Sequence, residues 1–304
     1  MTLTPQLLHQ LASLDIKARQ MVEGFISGLH KSPYFGFSVE FAEHRPYHPG
    51  DELKHVDWKA YAKSERHYVK QYEEETNLRC TILLDISQSM QFKYFGYWTK
   101  LQYATHFAAA LMYLMQKQRD ACGLVTFDDQ IRGFWPAKSS YTHLQYLFRQ
   151  MDPFTAEMGS QEERLTASAS VIHEVAERLP RRSLVVILSD LFENVEHHET
   201  LLSALKHLRH RHHEVVLFHI LERRSERDLD FPDRKYLFKD METGAVMDVL
   251  PVQVREDYKK QMAAYVRSFK IACSNAHIDF EEIDTESPFE LALMAYLNKR
   301  KRSM

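Results

Sequence analysis

Glycine is scarce in this chain, nine residues in 304, against an ordinary share of about 7%. Most phosphate-cradling loops go with it. The sequence contains no GxGxxG, no GxxxxGK and no GxSxG, and no HExxH zinc motif either. His173–Glu177 reads HEVAE, with Glu177 where a second zinc histidine would stand. Cysteine is sparser still. Cys80, Cys122 and Cys273 are far apart and form no CxxC. Two of them fall in strand-like apolar runs, where a buried thiol is the default, so a reducing compartment and no zinc cage are expected. Long apolar runs are missing: Thr81–Leu84 and Leu184–Leu188 are strand-sized, and no run approaches the roughly 20 residues of a spanning helix. The first residues, MTLTPQLLHQLASLD, lack the basic-then-apolar order of a signal peptide. A cytoplasmic protein without a membrane span is therefore expected. Excess charge is missing too: 39 Lys and Arg face 42 Asp and Glu, a formal −3. No global field calls for nucleic acid or acidic lipid.

What is present is globular. Apolar residues make up 44% and charged ones 27%, enough for one large domain or two of about 150 residues. Residues 1–78 form the first region. Thr4–Leu14 and Lys17–His30 have helical patterns, the second with Asp15 as N-cap. A stretch rich in aromatics, Pro, Gly and charge comes next. This region is expected to be a smaller N-terminal module packing on the main domain.

From 79 to 304 the pattern is regular. Strands are expected at Cys80–Leu84, Cys122–Phe127, Ile131–Trp135, Leu184–Ser189, Glu214–Leu221 and Ile278–Ile283. Helices are expected at Lys100–Gln118, Tyr141–Arg149, Thr166–Leu179, Glu199–Arg209, Arg255–Ala272 and Pro288–Lys299. This alternation predicts a three-layer, doubly wound α/β fold with a mostly parallel sheet. A hairpin insertion is expected near 231–249, turning at Thr243-Gly244.

In such a sheet, ligands bind beyond the carboxyl ends of the strands. Asp85-Ile86-Ser87-Gln88-Ser89 comes directly after the first strand of the regular region, and Ser189-Asp190 ends another. Asp85, Ser87, Ser89 and Asp190 are hard oxygen donors, suited to Mg²⁺ or Mn²⁺. A magnesium ion keeps several waters and needs only one or two carboxylates. The plainer alternative is that the serines cap the next turn and Asp85 holds backbone N–H groups.

DISQSM after TILL, then a helix, CGLVTFDD and ILSD resemble a von Willebrand factor A-type domain. That resemblance implies a metal-ion-dependent adhesion site made from Asp85, Ser87, Ser89, Asp190 and Thr166. The chain also resembles an uncharacterised bacterial family commonly encoded beside MoxR-type AAA+ ATPases. The shared stretches are Arg45–Asp51 (RPYHPGD), Val56–Lys59 (VDWK), Val69–Glu75 (VKQYEEE) and the DxSxS run. Around Thr166 the sequence reads Leu165-Thr166-Ala167 where that family usually has Gly-Thr-Asp. The resemblance implies a binding module rather than an enzyme. Its partner would be a protein supplying an Asp or Glu to the metal, with a MoxR-type AAA+ ATPase acting in protein assembly or remodelling as the candidate.

Two other classes compete. One is an Mg²⁺-dependent phosphohydrolase with Asp85 as nucleophile. Ser87 then stands where a second Asp would act as general acid, and no Lys is evidently placed to neutralise phosphate. The other is a scaffold with a vestigial metal site. Elsewhere, His207–His213 reads as the basic end of a helix, Asp128-Asp129 as a hairpin turn, and Lys299–Arg302 as a solvated helix end. Arg45, Asp51, Asp57 and Glu73 to Glu75 read as a charged network that docks the N-terminal segment on the α/β domain.

Overall fold

Three strands are apolar along nearly their whole length and therefore need cover on both faces. In a computed structural model they are β3 (Arg79–Asp85), β4 (Ala121–Phe127) and β6 (Leu184–Ser189), buried almost throughout. The structure describes residues 13–29, 44–46, 61, 68–70, 78–156, 168–190, 198–240, 244–289, 291–294 and 297. With β5 (Ile131–Lys138), β7 (Glu214–Leu221) and β10 (Asp279–Asp284) these strands form a six-stranded sheet in the order β10-β7-β6-β3-β4-β5. All pairs are parallel except β4 with β5. This is the expected α/β architecture with a mostly parallel sheet. β5 runs on to Lys138, past the expected end at Trp135. It is an edge strand, where Pro136 can be tolerated.

Strand alternation sends neighbouring residues to opposite faces. Leu83, Val125, Val185, Ile187, Val215 and Leu217 share one core with three helices. These helices are α4 (Ser168–Arg178), α5 (His198–His210) and α6 (Pro251–Asn275). The other face meets α2 (Lys100–Lys117), where Phe107 packs edge-on against Phe218 and the Cys122 thiol faces the Met112 carbonyl. Every residue of α2 from Lys100 to Met115 is buried, as expected of a helix enclosed on all sides. α3 (Tyr141–Met151) has a narrower apolar stripe of Leu144, Leu147, Phe148 and Met151.

α1 (Leu14–Leu29) starts before the expected Lys17, so Asp15 lies in its first turn. Its Leu14, Ala18, Met21 and Val22 are buried, and Tyr113 Oη donates to Glu23 at 3.5 Å. The expected helix at Thr4–Leu14 lies, up to Ala12, outside the described residues.

The chain divides into two units. One joins Met1–Ser27 to Leu78–Met304, and the other is Gly28–Asn77. α1 up to Ser27 therefore goes with the α/β unit, unlike a boundary at 78. Within the smaller unit, β1 (His44–Pro46) pairs antiparallel with β2 (Tyr68–Lys70). Of the expected charged network, Arg45 lies in β1; Asp51, Asp57 and Glu73 to Glu75 lie outside the described residues.

The insertion is a hairpin of β8 (Tyr236–Lys239) and β9 (Val246–Val249). Gly244 takes a positive φ of 69° near its turn, a conformation that favours glycine; Thr243 is outside the described residues.

Candidate metal centre

Parallel strands end on the same edge of the sheet, so β3 and β6 deliver their terminal residues side by side. Asp85 is fully buried. Its Oδ1 accepts the Ser87 N–H at 2.9 Å, and its Oδ2 accepts the Ser189 hydroxyl at 2.6 Å. The Ser87 and Ser89 hydroxyls lie 3.0 Å apart, and both residues are buried. Asp190 is 2% exposed and comes directly after Ser189. Asp85, Ser87, Ser89 and Asp190 thus come together at one strand end, while Thr166 lies outside the described residues.

The electrostatics are unbalanced. Burial, and then the nearby Asp190 carboxylate, push the Asp85 carboxyl up to about 7, against the hydrogen bonds from Ser189 and Ser87. Among the described residues Asp85 forms no ion pair. The cation present is Lys100, 2% exposed at its side chain, whose Nζ lies 2.7 Å from Asp190 Oδ2 and 2.5 Å from Glu226 Oε1. Burial alone would lower the Lys100 pKa; Asp190 and Glu226 outweigh it and hold the ammonium above its ordinary value. Burial also raises the Glu226 carboxyl. Asp190 and Glu226 share this ammonium, while Asp85 beside them has no such partner among the described residues.

Sequence reasoning missed Lys100, Ser189, Glu222 and Glu226. Lys100 resembles the first residue of an amphipathic helix. The signal was its place: Thr99 and Gln102 form a capping box around it, and a cation is disfavoured at the positive end of a helix. The stretch Glu222–Arg227 (ERRSER) looks like a charged surface turn. Instead Glu222 is 1% exposed, and its Oε1 accepts the N–H groups of Tyr94, Phe95 and Gly96 at 3.0, 2.7 and 2.6 Å. Ser225 Oγ also donates to Glu222 Oε2. This carboxylate ties the connection before α2 to the end of β7.

Among the described residues, no three His, Cys, Asp or Glu side chains are grouped to hold a metal. The fit therefore turns on the hydroxyls. Adjacent ligands of an octahedron with bonds of roughly 2.0–2.1 Å stand about 2.9 Å apart. The Ser87–Ser89 spacing of 3.0 Å meets that edge length, which also suits a hydroxyl–hydroxyl hydrogen bond. With Asp85 beside them, the donors are hard oxygens short of positive charge, which fits Mg²⁺ or Mn²⁺.

Two other flagged groups are structural. Asp128 opens the β4–β5 turn and accepts Arg132 Nε on both carboxylate oxygens at 2.7 Å, while Arg132 Nη2 meets Asp129 at 2.9 Å. His207, near the end of α5, sits 2.8 Å from His173 between ring Nδ1 atoms and 3.1 Å from Glu177 through Nε2.

Residues 43–267 match the family model described as protein of unknown function DUF58, and the chain belongs to that family. It is similar to the uncharacterized proteins Rv1480 of Mycobacterium tuberculosis and Mb1516 of Mycobacterium bovis. Each is 25% identical over 264 residues, 86% of this chain and 79% of theirs. Among solved structures, the conserved hypothetical protein BatB from Bacteroides thetaiotaomicron is 13% identical with a TM-score of 0.46, over 74% of this chain and 99% of its own. The SpRpn10 VWA domain is 13% identical with a TM-score of 0.37, over 70% of this chain and 92% of its own. Among the described residues, no helix is long and apolar enough to cross a membrane.

Proposed function

We propose that this chain is a protein-binding module whose contact with its partner is gated by a divalent cation, Mg²⁺ or Mn²⁺, at the Asp85–Ser89 strand end. The observation that carries the reading is Asp85, a fully buried carboxylate beside Asp190 that no cationic side chain among the described residues neutralises. Asp85, Ser87 and Ser89 would hold the ion, with Asp190 beside them and Thr166 added by the resemblance alone. A bound ion of this type supplies a positive centre that a partner's Asp or Glu can complete. Asp85 and Asp190 offer few protein charges to it, so attraction for an acidic partner side chain persists. From the resemblance, the partner is a MoxR-type AAA+ ATPase or a client that such an ATPase remodels.

The test is a calorimetric titration of Mn²⁺ and Mg²⁺ into the wild-type chain and Asp85→Ala, with His207 and His210 replaced by Gln in both. Saturable one-site binding that disappears with Asp85 is expected. Indistinguishable heats would leave the serines as turn residues and the fold as a scaffold.

Lys100 favours a second reading, because a lysine does stand at this strand end, contrary to the sequence expectation. A phosphohydrolase using Asp85 as nucleophile would turn over a generic phosphate monoester with Mg²⁺ and lose that activity in Asp85→Asn. Against it, the Lys100 ammonium is engaged by Asp190 and Glu226, so it is not presented to a phosphate.

A further inference from the structure

We propose that Lys100 is a resident counter-ion of the site, competing with a divalent cation for Asp190 and so setting the site's metal affinity. This rests on the metal-binding reading above. The position of Lys100 is unfavourable on two independent counts. It is the first residue of α2, where the helix dipole repels a cation, and its side chain is buried at 2% exposure, where an ammonium loses its hydration. A methionine, an unbranched apolar side chain of nearly the same length, would carry neither cost. What lysine adds is charge, aimed at Asp190 on one side and Glu226 on the other, with the Phe92 ring 5.6 Å from Nζ.

Glu226 makes the competition workable. It is fixed independently of Lys100: its Oε2 accepts the Glu222 N–H at 2.6 Å, and its carbonyl accepts the Tyr258 hydroxyl at 2.5 Å. Whenever Asp190 turns toward a bound cation, Lys100 retains a carboxylate and need not reach solvent. Asp190 is the one group that the candidate ion site and Lys100 share, so occupancy of one weakens the hold of the other. An ammonium this close also repels any second cation in a poorly solvated site.

The test measures Mn²⁺ affinity of the full chain by calorimetry in the wild type, in Lys100→Met, and in Lys100→Met combined with Asp85→Ala. Removing the ammonium is expected to tighten Mn²⁺ binding at least about tenfold, with the gain abolished by Asp85→Ala. A folded Lys100→Met that binds with wild-type affinity or more weakly overturns the inference, because Lys100 would then be structural or would position Asp190 for the ion. If Lys100→Met does not fold, Lys100→Met/Glu226→Gln, which leaves one fewer stranded carboxylate, is judged by the same criterion. Should neither fold, the wild type still decides: saturating Mg²⁺ must shift the Lys100 ammonium NMR signal, and an unmoved signal with the ion bound overturns the idea. Binding at Asp85 that ignores Lys100 sinks this inference alone. No Mn²⁺ binding by either the wild type or Lys100→Met sinks the metal reading with it.

Discussion

Aspartates pair at two places along the carboxyl edge of the sheet, and the two are solved in different ways. At the end of β4, Asp128 and Asp129 meet Arg132, whose Nε reaches both oxygens of Asp128. A guanidinium from the same turn meets both carboxylates, through Nε at Asp128 and Nη2 at Asp129. At the ends of β3 and β6, Asp85 receives only neutral donors among the described residues, and Asp190 shares its lysine with Glu226. A residue type at a strand end therefore says little by itself. What separates a turn from a candidate site is whether the protein supplies the opposite charge.

The sharpest way to break this contrast is metal binding. Asp85→Ala is expected to weaken Mn²⁺ binding at least about a hundredfold, close to 3 kcal/mol, while Asp128→Ala leaves it unchanged in the same titration. If both variants lose binding equally, the two strand ends are not different in kind.

Glu222 is the next lever, because it holds the chain between the DxSxS turn and α2. Glu222→Ala strands three backbone donors and is expected to cost on the order of 3 kcal/mol in urea unfolding. Glu222→Gln keeps an accepting oxygen and should recover much of that loss. An equal loss in both variants would show that charge, not hydrogen bonding, fixes this connection.

The third expectation concerns pH. The folded-state Asp85 carboxyl is held up at about 7, above an unfolded value of about 3.9. The unfolded chain therefore releases this proton first, and stability present below about pH 4 is lost as pH rises through 7. Buried His219, pushed down to about 4, acts oppositely, losing stability as pH falls from about 6.5. Comparing melts with and without Mg²⁺ at each pH removes the His219 contribution. Stabilisation by Mg²⁺ should be greater at pH 8 than at pH 5, by up to about 2 kcal/mol, because at pH 5 the ion must displace the Asp85 proton. A pH-independent increment would place the ion elsewhere.

The smallest effect belongs to the Asp128–Arg132 turn. Arg132 is about one-third exposed at its side chain while Asp128 is buried, so solvent screens this pair only in part. Arg132→Ala should cost about 1–2 kcal/mol in chemical denaturation and leave Mn²⁺ affinity untouched. A larger loss would mean that this turn supports the sheet edge.

Much of this was legible in the amino-acid order. Strands such as Leu184–Ser189 and Glu214–Leu221 were bounded correctly because their apolar runs stop at charged residues or turns. Asp85, Ser87, Ser89 and Asp190 were legible from their place at the carboxyl ends of buried strands. Helix ends were less visible: α6 begins at Pro251, where proline at the first turn supports a helix that apolar periodicity first shows later. Lys100 and Glu226 were invisible for a different reason. Their roles come from contacts 90 and 126 residues apart in sequence, and charged side chains are read by default as solvated.

The enclosure of α2 has a consequence for biosynthesis. Tyr103 on this helix donates its hydroxyl to the Ser287 carbonyl, 184 residues downstream, and stacks on Phe289 at 4.4 Å. Its inner face meets β7 through Phe218. On a translating ribosome, α2 emerges long before the segments that close over it. The nascent chain must carry an oily helix uncovered through most of its synthesis, in the window when aggregation and chaperone capture compete with folding.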